Sequence, residues 1–220
     1  MQRLLFEKTG DAVFLSHLDL MRVFQRAFKR AELMLWHSQG FSPRAYVSIP
    51  LPLPVGTESR CELLEFEMQD GAVDLAALPE RLNRTLPAGI RVLRAYESSV
   101  KMKYLTHLQV RLTLEYDAGI PLHAQQTLAQ LFARPQLLVK KRTKSGGEAD
   151  LDLKPLLTWV QLQPQSAQEL VLTALVCAQN PSCNPQLLVQ AIERCAPAAA
   201  PDFVRIERVE VFDAQGGVFR

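Results

Sequence analysis

The apolar positions of this chain change period several times, and each change marks an element. Residues 3–15 alternate loosely around a turn at Thr9-Gly10-Asp11, which predicts a first strand, or two short ones in a hairpin. Ser16-His17-Leu18-Asp19 then has the form of a capping box, in which the Ser16 hydroxyl accepts from the N–H three residues on and Asp19 reaches back. Leu20, Phe24, Ala27, Phe28, Ala31 and Leu35 follow at helical spacing and share one face. Residues 46–55 read as extended, with Pro50, Pro52 and Pro54 on alternate positions. Proline has no N–H to give a ladder, so this stretch suits a sheet edge or a polyproline-like strap. Residues 61–68 read as a strand, 74–86 as a second helix ended by Pro87-Ala88-Gly89, and 90–96 as a further strand.

That order, β-α-β-β-α-β, predicts a ferredoxin-like arrangement with two helices on one face of a four-stranded antiparallel sheet. The second half repeats the plan. Residues 107–116 alternate, with Leu108, Val110, Leu112 and Leu114 on one face, and 121–133 read as a helix. Residues 136–141 read as a strand leading into a basic, glycine-containing loop. Residues 158–162 and 169–178 read as a hairpin, 185–195 as a helix, and 203–212 as a last strand. The expected fold class is α+β, with two ferredoxin-like (βαββαβ) halves, antiparallel sheets with helices on one face. The boundary falls between residues 98 and 104, giving domains 1–98 and 104–220. Both halves close on helix, proline, short loop and strand, which fits an internal duplication.

Charge changes this picture little. Lys plus Arg is 25 and Asp plus Glu is 23, a net charge of +2, so a nucleic-acid site has to be a local patch. No apolar run approaches the roughly 18 residues that span a bilayer, and charge interrupts the N-terminus before any signal-peptide core. The expectation is a soluble, cytoplasmic chain without a membrane partner. Cys61, Cys177, Cys183 and Cys195 contain no C-x-x-C pair and no zinc or iron–sulfur spacing, so reduced thiols and no metal are expected. Phosphate-binding loops, dinucleotide fingerprints, nucleophile elbows and zinc-protease motifs are missing.

Local chemistry concentrates in three places. Arg22, Arg26, Lys29 and Arg30 fall on the helix face opposite the apolar one. They form either a solvated face or a surface for phosphate or an acidic partner. Lys140, Lys141, Arg142 and Lys144 run into Gly146-Gly147 and form either a solvated hairpin tip or a loop that follows a phosphate backbone. Glu148, Asp150 and Asp152 partly neutralise them. The third place is His37-Ser38-Gln39-Gly40-Phe41-Ser42-Pro43-Arg44, whose polarity exceeds what a turn needs and points to binding. His17 and His37 could each act as a general base. They lie at opposite ends of a helix expected to be roughly 25–30 Å long, which argues against their working as a pair. Trp36 and Trp159 are read as packing residues and Asp19 as a cap.

Three segments together carry a family likeness: Phe14-Leu15-Ser16-His17-Leu18-Asp19, the segment from His37 to Arg44, and Pro50-Leu51-Pro52-Leu53-Pro54-Val55-Gly56 with Glu58-Ser59. In these the chain resembles the radical SAM-linked proteins, a domain found beside, or fused behind, cobalamin-binding radical SAM enzymes. Residues 140–157 also fit. The resemblance implies that His17, Asp19, His37, Ser38, Gly40, Phe41, Pro43 and Gly56 form a signature surface. It also implies a radical SAM protein as partner, with the iron–sulfur cluster and S-adenosylmethionine in that partner and no cofactor in this chain. The chain lacks the C-x₃-C-x₂-C spacing that holds such a cluster. A looser resemblance, by fold, is to the CRISPR repeat-processing endoribonucleases.

The leading expectation is a non-catalytic accessory protein that binds RNA or presents substrate in tRNA or rRNA modification. Arg22, Arg26, Lys29, Arg30, Lys140, Lys141, Arg142 and Lys144 would hold phosphates, and the segment from His37 to Arg44 would read a base or contact the partner. The alternatives are a metal-independent endoribonuclease using His17 or His37, and a protein-interaction module without RNA binding.

Overall fold

The first strand, β1 (Gln2–Lys8), stops before Gly10, whose φ of +54° turns the chain. The computed structural model describes residues 1–69, 73–142 and 146–220, and of Arg142 the backbone alone. Gly10–Phe14 is a short 3-10 turn, not the remainder of a strand or a hairpin. The cause is Lys8, a buried lysine whose ammonium donates to the carbonyls of Val13 and Leu15 at 3.0 Å each and draws the turn over the strand end.

Helix α1 (His17–Arg30) starts where its cap was expected: the Asp19 N–H donates to Ser16 Oγ at 3.2 Å. The reciprocal half differs from a capping box. Asp19 accepts the Ser16 hydroxyl at 2.7 Å and does not reach the backbone. The helix ends at Arg30, because Glu32 takes a φ of +56° and leaves the helical register. Leu35, read as a helix-face residue, instead bridges to Met68 beside the sheet and is buried there. Of residues 46–55 only β2 (Val47–Ser48) joins a ladder; the rest is a strap, in keeping with its prolines.

Strand β3 (Thr57–Phe66), helix α2 (Leu78–Asn83) and strand β4 (Ile90–Glu97) complete the first unit. The helix expected over 74–86 is six residues long. Asp74 forms a side-chain turn to the Ala76 N–H, and Pro79 sits in the first helical turn, so the helix starts late. At its other end the Asn83 amide bonds the Val92 backbone in both directions, at 2.9 and 2.8 Å, and turns the chain toward β4. The strands lie in the order β4-β1-β3-β2, every pair antiparallel. One core joins Leu4, Phe6, Leu64 and Phe66 of the sheet to Leu20, Phe24 and Phe28 of α1 and Leu78 and Leu82 of α2. Phe6 meets Phe24 edge-on at 4.7 Å, a favoured geometry for two rings.

The second unit runs β5 (His107–Glu115), α3 (Ala124–Ala133), β6 (Leu138–Arg142), β7 (Glu148–Asp152), β8 (Leu157–Pro164), β9 (Glu169–Cys177), α4 (Gln186–Cys195) and β10 (Phe203–Phe212). Its sheet has the order β10-β5-β9-β8, again antiparallel, with Leu112 facing Ile206 on one side and Leu172 on the other. The strand read at 136–141 does not join this sheet. It pairs with β7, which the sequence reading missed, in a separate two-stranded ladder.

The chain thus has a mixed α+β fold with mostly antiparallel sheet and four helices among the described residues. It divides into two compact units, Met1–Tyr104 with Arg220 and Leu105–Phe219. No helix among the described residues is long and apolar enough to cross a membrane.

Candidate functional site

A helix turns about 100° per residue, so Leu20, Phe24, Ala27 and Phe28 face the core while Arg22, Arg26 and Lys29 face outward. All three cations are exposed. Arg22 pairs with Asp19 at 3.1 Å. The Ser16 hydroxyl and then Arg22 hold the Asp19 carboxyl below the usual carboxylate range. An ion pair this exposed contributes little, which leaves Arg22 able to change partner. Arg26 and Lys29 have no partner among the described residues. Arg30 is different, because its guanidinium donates to the Thr85 carbonyl. Arg81 returns the contact by donating to the Ala31 carbonyl at 2.7 Å. These two arginines tie the end of α1 to the region of α2, so Arg30 is the member of the stripe with a structural tether.

Beyond α1 the chain makes an arm. Trp36 N–H donates to the Glu67 carbonyl and Tyr46 N–H to the Trp36 carbonyl, both at 2.8 Å, and His37 bridges Ala45. Nearer the tip, Ser38 N–H donates to the Arg44 carbonyl at 2.9 Å and Arg44 N–H to Ser38 Oγ at 3.1 Å. The Gln25 amide of α1 donates to the Ala45 carbonyl at 3.3 Å and holds the arm against the helix. Leu35 and Val47 belong to the core, so by strand alternation Trp36 and Tyr46 face the other way. Those two rings meet edge-on at 6.4 Å. Burial, and then Glu65 and Glu67, push the Tyr46 phenol up. The Tyr46 end of this pair therefore stands near the carboxylates of Glu65 and Glu67.

The two histidines do not meet. His37 sits level with Gln25 through Ala45, eight residues along α1 from His17, a separation of about 12 Å by helical rise. That is shorter than the expected length of the helix, because the arm folds back, yet too far for shared proton transfer. His37 Nδ1 is engaged by the Leu35 carbonyl at 2.8 Å. His17 Nδ1 is buried without a hydrogen-bond partner among the described residues.

The second basic element is partly neutralised by the acids that follow it in sequence. Lys140 faces Asp150 across the β6–β7 ladder and pairs with it at 2.7 Å. That hydrogen bond holds the Asp150 carboxyl below its usual range. Arg142 stands in register with Glu148. Lys141 is exposed, the Arg142 side chain lies outside the described residues, and so does Lys144 with Thr143 and Ser145. A groove of about 550 Å³ between the hairpin and α4 is lined by Lys140, Lys141 and Arg194, and also by Glu148 and Glu193.

The structure brings together two signature segments far apart in sequence. Gly56 N–H donates to the Val13 carbonyl at 2.9 Å, placing the end of the proline strap against the turn that precedes His17. Phe14, Leu18 and Val55 are exposed in these same segments, and the sequence reading passed over them. The signal available was Leu18, which falls outside the apolar face of α1. Among the described residues, no group of three His, Cys, Asp or Glu could hold a metal ion. Burial pushes the Cys183 thiol up to about 12, so it packs as an apolar side chain.

A family described as "Uncharacterized protein conserved in bacteria (DUF2344)" matches residues 2–185. The chain belongs to that family. The match covers the α1 stripe, the arm, the strap and the β6–β7 hairpin alike, and the description names no substrate, cofactor or partner. No curated protein matches the chain. A solved structure, "Crystal Structure of a Cbf5-Nop10-Gar1 Complex", is similar at 8% identity and a TM-score of 0.49, over 94% of this chain and 48% of that one. The chain therefore spans about half the length of that neighbour, and nothing about function passes across so slight a likeness.

Proposed function

We propose that the chain is a non-catalytic accessory protein of a radical SAM enzyme and binds RNA, in tRNA or rRNA modification, through the outer face of α1. The observation that carries the RNA reading is the pair Arg26 and Lys29, exposed one turn apart and without partners among the described residues. Arg22 adds a third cation whose ion pair is easily exchanged. Like charges held this close repel one another, and a phosphate backbone relieves that repulsion while releasing counterions. The radical SAM partner rests on the resemblance of the signature segments, and the cluster and S-adenosylmethionine belong to that partner. The β6–β7 hairpin is a lesser contributor in this reading, because Lys140 already has Asp150.

The same proposal includes the architecture. Each unit is read as a ferredoxin-like half, since β4-β1-β3-β2 and β10-β5-β9-β8 follow one path, the second with the β6–β7 hairpin inserted after its first helix.

Fluorescence anisotropy with total tRNA at two salt concentrations tests the RNA reading. Wild-type affinity should fall steeply with salt. Arg26→Glu/Lys29→Glu should weaken binding at least tenfold and flatten the log–log salt slope by about 1.5, two phosphate contacts' worth. Unchanged affinity in the double variant would remove α1 as the phosphate site.

A further inference from the structure

We propose that the tip of the arm, residues 38–44, is a plug whose Phe41 ring enters an apolar pocket with an acidic rim on a protein partner. The inference rests on the accessory-protein reading above and names the contact through which that role is exercised.

The Phe41 ring is wholly in water, at 110% of its reference exposure, the most exposed large apolar side chain among the described residues. An aromatic ring left fully hydrated forgoes the largest single gain a side chain can make on burial. A disordered loop carries such a ring at little consequence. This loop is ordered on both sides, by Ser38 N–H to the Arg44 carbonyl and Arg44 N–H to Ser38 Oγ, and its base is bonded to α1 by Gln25. Gly40, immediately before the ring, has a φ of +141° that side-chain-bearing residues rarely adopt, and beyond its two chain neighbours no heavy atom stands within 4 Å of where its Cβ would be. The turn is therefore set by its backbone and points the ring away from the molecule. A preorganised aromatic at a protruding tip loses little entropy on docking.

The surroundings specify the partner. Met34 and Trp36 are exposed along the same arm, and Arg44 flanks the tip. Aromatic residues, methionine and arginine are the types that protein–protein interfaces collect. Arg44 calls for a carboxylate at the pocket's edge. A base would stack on one face of the ring and leave the other in water, whereas a pocket takes both faces.

The test uses the full chain with, as probe, a cobalamin-binding radical SAM protein of the kind that the proposed function names as partner. Biolayer interferometry measures that complex for wild type, Phe41→Ala and Phe41→Leu, and anisotropy measures tRNA binding by the same proteins. The ring touches no core, so neither variant endangers folding. Phe41→Ala should weaken the protein complex about 10- to 100-fold, Phe41→Leu should weaken it much less, and tRNA affinity should not move in either. Wild-type affinity in Phe41→Ala overturns the plug while leaving the accessory reading standing. Loss of tRNA binding in both variants, with the protein complex intact, overturns it in favour of base stacking. No complex even with wild type overturns the accessory reading, and the plug with it.

Discussion

Gly89 is the residue at which the first unit is least forgiving. Its φ is +82°, and a Cβ there would stand 2.3 Å from the Thr9 carbonyl oxygen and 2.8 Å from Ala12 Cβ. The Gly89 carbonyl also accepts the Thr9 N–H at 2.8 Å, so the two turns cannot separate without losing that bond. Gly89→Ala should destabilise the protein by about 2–4 kcal/mol, combining left-handed strain with overpacking, and a lower urea midpoint would register it. An unchanged midpoint would mean that the turn can move aside. The sequence showed a helix stop at Pro87-Ala88-Gly89 but not why glycine had to close it, because the clash comes from residues about eighty positions earlier. Ser16 was legible as a cap because its partner is three residues away. The direction in which Asp19 turned was not, since the Ser16 hydroxyl takes one carboxylate oxygen and Arg22 the other.

Elements with strong internal period were legible nearly to the residue: β10 occupies the span that alternation marked, and α1 begins at its cap. Those whose limits depend on side-chain ties were not. Helix α2 is shorter than its pattern because Asn83 bonds the Val92 backbone. Strand β7, Glu-Ala-Asp-Leu-Asp, has neither β-branched nor aromatic residues and is a strand only by pairing with β6. The closing end of that hairpin is held by Asp152, whose carboxylate accepts the N–H groups of Leu137 at 2.9 Å and Lys154 at 3.1 Å. The Leu137 bond first, and the Lys154 bond next, keep its carboxyl below the ordinary value of 3.8. A group lowered in this way stabilises the fold above its unfolded value, and that contribution is lost as pH falls through the folded one. Titration followed by NMR should give Asp152 a midpoint below 3.8, with the Leu137 and Lys154 amide protons moving at the same midpoint. A midpoint at or above that value would mean the two bonds are not made in solution.

At the scale of the whole molecule, near-neutral net charge directs attention to local patches, and the exposed cations of α1 form one. The basic run from Lys140 to Lys144 was legible as partly neutralised by Glu148, Asp150 and Asp152, but only the ladder register puts Asp150 opposite Lys140. The proline strap has a consequence for how the protein behaves in a crowd of its own copies. Strand β2 is the outermost strand of the first unit's sheet, and an outermost strand is a template on which another chain can crystallise into a growing fibre. Pro50, Pro52 and Pro54 follow it directly, and with no N–H to donate they offer an incoming strand an interrupted row. Replacing all three with threonine should leave the dilute protein folded yet make concentrated, warmed samples scatter light and bind a fibril dye at temperatures where wild type stays clear. If both stay clear alike, some other part of the surface keeps the copies apart.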